Sequence, residues 1–192
     1  MAAVNSRMLP LGSSAPFFSL PDPDGNRHSL AEAEGAPATL VMFLSNHCPF
    51  VQHIRTDLSR LCTQFIERDV AVFAINSNDI EAYPADGPGK MKEEIVAQDY
   101  RFPYLLDEDQ SVAKAYEAAC TPDFFLFDAN ASLVYRGQFD GSRPGNSLPV
   151  TGDDLRSAVD AVLSGNPVND TQTPSIGCSI KWKPGNEPSW AP

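Results

Sequence analysis

Two apolar segments with a helical pattern between them constrain the fold of this chain more than any other feature. "ATLVMFLS" at residues 38–45 and "VAVFAIN" at residues 70–76 are apolar along most of their length, as strands covered on both faces must be. The apolar residues between them follow the spacing of one helix face: Val51, Ile54, Leu58, Leu61, Cys62 and Phe65. Strand, helix and strand in this order predict two parallel strands joined by a right-handed crossover.

The segments on either side of this unit predict two hairpins. In "FFSLPDPDGNRHSL", Gly25 and Asn26 accept the positive φ that a tight turn requires. "DFFLFDANASLVYRGQFD" predicts a second hairpin with its turn at Asp128 to Ser132, while "MKEEIVAQDY" and "QSVAKAYEA" are typical of helices and "FPYLLD" of a short strand. The predicted fold class is therefore α/β, with a central mixed β-sheet flanked by helices and an N-terminal β-hairpin.

A further helix, "TGDDLRSAVDAVLSG", has clear ends. Thr151 or Asp153 can cap its start and Gly165 stops it. We expect this helix to complete one domain over residues 1–165. Residues 166–192 are rich in Pro, Gly, Asn and Ser but carry both tryptophans, which predicts an irregular C-terminal tail that packs on the domain.

Charge and hydropathy limit the classes of partner. The net charge of −11 repels phosphate backbones, so nucleic acid is not an expected partner. No stretch approaches the ~20 apolar residues of a membrane span, and the start of the chain has no signal-peptide pattern, so we expect a soluble, cytoplasmic protein. Cysteines in the cytoplasm are usually reduced. The four cysteines of this chain are therefore interpreted as packing residues, as metal ligands or as transiently redox-active residues.

Cys48 lies where the first buried strand gives way to the helix, in "SNHCPFVQH". Proline is favoured at the first helical position, so Pro49 predicts that Cys48 is the N-cap. The free N–H groups and the dipole of a helix start stabilise a thiolate there, which is the nucleophilic form. His47 and His53 add positive charge when protonated, although His53 lies about 140° around an ideal helix. The alternative is a buried cysteine that only packs at a strand end.

Cys62 has a different interpretation. It lies on the same helix fourteen residues after Cys48, which is about 21 Å at 1.5 Å per residue. A disulfide needs Cα atoms within about 7 Å, so the two cannot pair while the helix is intact. Cys62 also belongs to the apolar face, and we predict that it is a core residue.

Three stretches together resemble one known family. "SNHCPF", "CTPDFFLFD" and the late "GCSIKWK" are similar to motifs of the thioredoxin-fold redoxins, and the likeness is greatest to a peroxiredoxin-like branch of the AhpC/TSA family. The resemblance covers roughly Pro10 to Leu163 and implies a thioredoxin-like fold. It also implies that Thr121 and Pro122 form the loop that carries the cis-proline of this fold and that this loop faces the reactive sulfur.

The resemblance also suggests roles for the residues around Cys48. Cys120 would lie beside the site, as a resolving cysteine or as a filler of a polar site. Cys178 would either resolve Cys48 or anchor the tail beside Trp182. Ser45 occupies the hydroxyl position three residues before Cys48 and, with the first N–H groups of the helix, would hold developing negative charge. Residues expected to line the substrate site are His47, Pro49, Phe50 and His53.

The chain departs from both main subgroups of the redoxins. Val41 stands where peroxiredoxins have proline, Pro122 stands where they have arginine, and Val51 replaces the second cysteine of a thioredoxin Cys-x-x-Cys. We therefore predict a thiol-dependent oxidoreductase that carries out thiol-disulfide exchange through Cys48. The close alternative is a thiol peroxidase that reduces hydroperoxides. Either enzyme needs an external dithiol such as thioredoxin and no cofactor.

Two other classes of function are compatible with the sequence. Cys48, Cys120, Cys178 and a histidine could form a zinc site, but no Cys-x2-Cys or His-x3-His spacing supports one. A non-catalytic binding domain that kept the fold is the other class. The loop "YPADGPGKM" is predicted to be solvated, with Lys90 or Lys92 as possible guides for acidic partners. The sequence makes no prediction of the oligomeric state.

Overall fold

The structure is a computed structural model that describes residues 3–191. Its strands are β1 (Ala3–Asn5), β2 (Ser19–Pro21), β3 (Arg27–Ser29), β4 (Ala38–Phe43), β5 (Ala71–Asn76), β6 (Tyr104–Leu106), β7 (Cys120–Thr121), β8 (Asp123–Asp128), β9 (Leu133–Gly137) and β10 (Ile176–Ser179). Its α-helices are α1 (Pro49–Ile66), α2 (Pro88–Gln98), α3 (Ser111–Ala115) and α4 (Asp153–Leu163). Short 3-10 helices cover Leu30–Ala33 and Pro84–Asp86.

The central sheet has five strands in the order β6-β5-β4-β8-β9. β4 pairs with β5 in parallel, and β5 pairs with β6 in parallel. On the other side of β4, β8 runs antiparallel to both β4 and β9. The predicted strand-helix-strand unit, the second hairpin and the mixed sheet are therefore confirmed, and β2 with β3 forms the predicted first hairpin.

Both faces of this sheet are covered, which explains why β4 is apolar and fully buried along its length. Leu40 and Met42 point into a core formed with α1, α2 and α4. Val41 and Phe43 point into a second core on the opposite face, which includes α3 and the first hairpin. Within residues 3–191, every helix is too short or too polar to cross a bilayer.

The start of α4 differs from the prediction. Its N-cap is Gly152, with φ +67°, rather than Thr151 or Asp153. The carboxylate of Asp140 accepts hydrogen bonds from the N–H groups of Thr151 at 2.6 Å and Gly152 at 2.7 Å. A carboxylate from another segment therefore accepts hydrogen bonds from the N–H groups of the N-cap of α4 and of the residue before it. A Cβ on Gly152 would also lie 2.6 Å from Phe139.

The tail is less irregular than its composition indicates. Its residues 176–179 form β10, which is the middle strand of a second sheet with the order β1-β10-β7. The sequence prediction of an entirely irregular tail is wrong here, because the partners that order β10 are distant in sequence. The tail does pack on the domain, where Trp182 and Trp190 meet edge to face and Arg7 lies over the Trp190 ring.

Candidate active site

Cys48 is the N-cap of α1, with Pro49 as the first helical residue, as predicted. The Gln52 N–H bonds to the Cys48 carbonyl oxygen at 2.9 Å, which leaves the N–H groups of Phe50 and Val51 without acceptors inside the helix. The Cys48 side chain is fully buried. Its thiol donates a hydrogen bond to the Thr121 carbonyl oxygen at 3.0 Å, so the sulfur sits against the β7 loop.

The loop that faces this sulfur is the one predicted from the resemblance. The Thr121–Pro122 peptide bond is cis. β10 pairs with the first part of this loop, with Cys178 opposite Thr121 and Ser179 opposite Cys120 in the antiparallel register. The site is thus assembled from the end of β4, the start of α1, the β7 loop and β10.

Gly177 makes the contact between β10 and this loop possible. A Cβ at this position would lie 1.9 Å from the Thr121 carbonyl oxygen and 2.6 Å from the Thr121 carbonyl carbon. Only a glycine permits so close an approach of two backbones. The glycine before Cys178 in "GCSIKWK" therefore fixes the distance between the second cysteine and the active-site loop.

Cys178 is the cysteine that interacts most directly with Cys48. Burial and the interaction with the Cys48 thiol raise the pKa of Cys178 to about 12, against a smaller lowering by Lys181. The Cys178 side chain is itself buried. The structure therefore brings a second thiol next to Cys48, from a strand that the sequence pattern did not predict.

Cys120 is also buried, but its thiol is directed at the Pro122 carbonyl oxygen, 3.6 Å away. Burial raises the pKa of Cys120 well above its usual range, and Asp123, Cys48 and Cys178 raise it further. Burial also raises the pKa of the Asp123 carboxyl well above its usual range. Cys120 therefore lies in surroundings that keep its thiol protonated.

Asp86 is a functional-site residue that the sequence analysis missed. Its carboxylate is fully buried and accepts hydrogen bonds from the loop just before Cys48. The donors are Ser45 Oγ at 3.1 Å, Asn46 N at 2.8 Å, His47 N at 3.4 Å, His47 Nδ1 at 2.8 Å and Asn78 Nδ2 at 2.7 Å. One carboxylate thus fixes the three residues that lead into Cys48, and no local pattern predicts this pairing because most donors lie about forty residues away.

The contacts of Ser45 and His47 change their expected roles. Ser45 donates its hydroxyl proton to Asp86, so this hydroxyl holds the loop rather than the sulfur. His47 gives its Nδ1 proton to the same carboxylate and stacks on the Tyr83 ring at 5.3 Å. Its Nε2 has no hydrogen-bond partner among the described residues.

The other predicted residues lie in three different surroundings. Phe50 and His53 line a small depression next to Pro122, together with Arg143 from the segment after β9. Pro49 is exposed at the helix start. Cys62 is buried in the core within 3.9 Å of the Met42 sulfur, as predicted.

A zinc site has no support in the geometry. Within residues 3–191, no group of three or more His, Cys, Asp or Glu side chains has an arrangement that could hold a metal ion. Cys48, Cys120 and Cys178 therefore do not form such a group. The arrangement is suited instead to chemistry between sulfur atoms.

We expect Asp86→Asn to destabilise the protein by about 2 kcal/mol, because the new amide leaves buried donors of the 45–47 loop unsatisfied. Urea unfolding measures this loss. Asp57→Asn is the matched control, since Asp57 is partly exposed and forms an ion pair with the exposed Arg60 on α1, and it should change stability by less than about 0.5 kcal/mol. Equal stability of the two variants would contradict the role assigned to Asp86.

The chain is similar to several known proteins in sequence and in structure. Residues 11–136 match the sequence model of the AhpC/TSA family. Thiol-disulfide oxidoreductase ResA from Geobacillus kaustophilus (strain HTA426) is 26% identical over 125 residues, which are 64% of this chain and 66% of that protein. The chain thus spans slightly less than two thirds of this relative.

Two solved structures are much more similar. The structure of an uncharacterized conserved protein from Geobacillus kaustophilus is 54% identical, with a TM-score of 0.94 and coverage of 96% of this chain and 98% of that one. A hypothetical protein from Sinorhizobium meliloti 1021 is also 54% identical, with a TM-score of 0.93 and coverage of 94% and 99%. The thioredoxin domain of a Bacteroides vulgatus thiol-disulfide oxidoreductase, 22% identical with a TM-score of 0.62 over 81% of this chain and 99% of that one, shares the fold.

Proposed function

Because this chain belongs to the AhpC/TSA family of thioredoxin-fold redoxins, we propose that it is a thiol-disulfide oxidoreductase with Cys48 as its nucleophile. One observation carries this proposal: the Cys48 thiol lies at a helix start, against the Thr121 carbonyl and beside the Cys178 thiol. A sulfur at a helix N-terminus is held where negative charge is stabilised. A second thiol beside it can complete a disulfide.

The proposed exchange has two sulfur-transfer steps. The Cys48 thiolate attacks one sulfur of a disulfide substrate, so that a mixed disulfide forms and the other substrate sulfur leaves as a thiolate that takes a proton. Cys178 then attacks the Cys48 sulfur, an internal Cys48–Cys178 disulfide forms, and the second substrate thiolate leaves. An external dithiol, of the kind that thioredoxin carries, restores both thiols by the same exchange.

Cys178 rather than Cys120 is assigned to the second step. The Cys178 thiol interacts with that of Cys48 and has a cation, Lys181, acting on it. The Cys120 thiol is directed at the Pro122 carbonyl instead, and the neighbouring Asp123 disfavours its ionisation. These contacts support Cys120 as a buried neighbour of the site and Cys178 as the resolving residue.

A second candidate function, thiol peroxidase, is favoured by the burial of Cys48. Its side chain has no exposed surface and β10 lies across the adjacent loop, an arrangement that favours small oxidants over extended polypeptides. In that reaction the Cys48 thiolate would attack a hydroperoxide, forming a sulfenic acid and an alcohol or water. Cys178 would then displace hydroxide, which takes a proton and leaves as water.

We expect the reduced protein to form a Cys48–Cys178 disulfide when it is treated with one equivalent of glutathione disulfide, as measured by peptide mass spectrometry. The link should persist in Cys120→Ser and be replaced by a Cys48–glutathione adduct in Cys178→Ser. Treatment with hydrogen peroxide in a parallel sample, followed by dithiothreitol-dependent turnover, distinguishes peroxidase from disulfide exchange. A Cys48 that reacts with neither oxidant would refute both candidate functions.

A further inference from the structure

The small depression beside Pro122 borders the site of Cys48. Phe50 and Pro122 line it, together with Ile176 at the start of β10. The Cα atoms of Phe50 and Cys48 are at most about 7.6 Å apart, because each step along the chain spans about 3.8 Å. The depression has a volume of about 10 Å³, which admits one group of the size of a water molecule. It can therefore hold the end of a small molecule whose remainder lies over the start of α1.

Arg143 brings a positive charge to this depression. Its Nη1 donates to the main-chain carbonyl oxygens of Asp140 and Ser142, both at 2.6 Å, and its Nη2 donates to the side-chain oxygen of Gln138. All three acceptors are neutral, and they leave the Nε–H without an acceptor within residues 3–191. The ion pairs that arginines form in this part of the chain do not include Arg143. These bonds hold the guanidinium in place without neutralising its charge.

The carboxylate of Asp140, three residues before Arg143, is engaged elsewhere. It accepts hydrogen bonds from the N–H groups of Ser142 at 2.8 Å, Thr151 at 2.6 Å and Gly152 at 2.7 Å. It therefore stabilises the segment before α4 and forms no ion pair with the guanidinium. A half-buried arginine without an acidic partner, in a chain of net charge −11, can bind an anion from outside the chain.

His53 provides a second polar atom at the depression. Its Nε2 is buried and has no hydrogen-bond partner among the described residues. A buried polar atom without a partner costs free energy, which a hydrogen bond to a group in the depression would recover. An imidazole nitrogen that carries a proton is a donor. His53 and Arg143 can therefore both donate to one acceptor, which points to a carboxylate.

We propose that this depression binds a carboxylate of the substrate, and that the substrate is a small disulfide with carboxylate groups, such as an oxidised amino-acid or peptide thiol. Arg143 donates a charge-assisted hydrogen bond to the carboxylate, and His53 donates a second one. The disulfide then lies along Phe50 toward Cys48. This inference rests on the proposed function and names the substrate class of the same site. Arg143 takes no part in the exchange of electrons or protons, so it determines specificity.

The test compares three small disulfides that have the same length and differ in their end groups: dithiodipropionate with carboxylates, bis-hydroxyethyl disulfide without charge, and cystamine with ammonium groups. Loss of free Cys48 is followed by quenched alkylation and peptide mass spectrometry. Each rate is divided by the rate of the same disulfide with dithiothreitol, which corrects for intrinsic reactivity. We expect the wild type to favour the carboxylate disulfide over the neutral one by roughly tenfold.

Arg143→Met should abolish this preference, whereas Arg143→Lys, which keeps the charge, should retain part of it. His53→Phe should lower it by roughly threefold, because one donor is lost. Arg101→Met is the matched control, since it removes the same charge from the molecule. Arg101 is exposed, lies 3.6 Å from the Asp99 carboxylate and does not line the depression, so this variant should keep the wild-type preference.

The proposed function and the substrate class fail in different ways. A Cys48 that reacts with none of the three disulfides would refute the proposed function. A wild type that reacts but shows no preference for the carboxylate disulfide, or an Arg143→Met variant that keeps this preference, would refute the substrate class alone. An equal loss of rate with all three disulfides in Arg143→Met would also refute it, because the arginine would then support the loop and not the substrate.

Discussion

Replacement of Cys48 by serine is expected to lower thiol-disulfide exchange by roughly a thousandfold or more. A serine hydroxyl is hardly ionised near neutral pH and cannot form the mixed disulfide, so the nucleophile itself is lost. The hydroxyl still fits the space of the thiol and can donate to the Thr121 carbonyl as the sulfur does. The loss should therefore appear in turnover of glutathione disulfide or hydrogen peroxide with dithiothreitol, and not in the melting temperature.

The matched control for this variant is Cys62→Ala. Cys62 is equally buried and lies on the same helix, but it contacts Met42 in the core. Its removal should cost about 1–2 kcal/mol of stability through lost packing and leave turnover within about twofold of the wild type. If Cys48→Ser kept a tenth of the wild-type rate, another group would be the nucleophile and the site assigned to α1 would be wrong.

Gly177→Ala is expected to destabilise the protein by about 3 kcal/mol or more, which corresponds to a fall of roughly 6–12 °C in melting temperature. The added methyl group would meet the Thr121 carbonyl oxygen at 1.9 Å and the Pro122 nitrogen at 3.1 Å. Backbone atoms cannot rotate away as a side chain can. β10 cannot shift freely either, since β1 and β7 are hydrogen-bonded to its two edges.

The same substitution should slow formation of the Cys48–Cys178 disulfide, because any relief of the clash moves β10 away from the Thr121 carbonyl. Gly89→Ala serves as its control. Gly89 lies in the first turn of α2, and a Cβ there would have no neighbour within 4 Å. Alanine is favoured over glycine in a helix, so this variant should be neutral or more stable by about 0.5–1 kcal/mol. If Gly177→Ala melted with the wild type, the close approach of the two backbones would be disproved.

Local patterns in the sequence were enough to predict most of the fold. β4 and β5 are buried on both faces, and such strands are recognisable as short apolar runs. The apolar face of α1 follows helical spacing, and Pro49 marks its first residue. The position of Cys48 as N-cap follows from these two facts alone, so the placement of Cys48 was the part of the site that the sequence could predict.

The rest of the site depends on contacts between residues that are far apart in the chain. Asp86 lies in a stretch whose Pro and Gly residues predict a solvated loop, yet its carboxylate is buried by donors at residues 45–47. β10 has no alternating pattern of its own and is ordered by β1 and β7. In the sequence, Lys181 is typical of a surface lysine. In the structure it is buried, and Asn78 from a distant loop accepts a hydrogen bond from its N–H group.

The small sheet of β1, β10 and β7 unites residues 3–5, 120–121 and 176–179, so we expect it to be completed late in folding. Bringing together residues so far apart in the chain costs conformational entropy before the strand contacts that offset this cost can form. We therefore expect these pairings to form more slowly than α1 and its neighbouring strands, whose contacts are local. A chain caught midway has its nucleophilic sulfur uncovered and the edge of Thr121 unpaired. Such an intermediate would be open to mixed-disulfide formation with foreign disulfides, and completion of the second sheet ends that exposure.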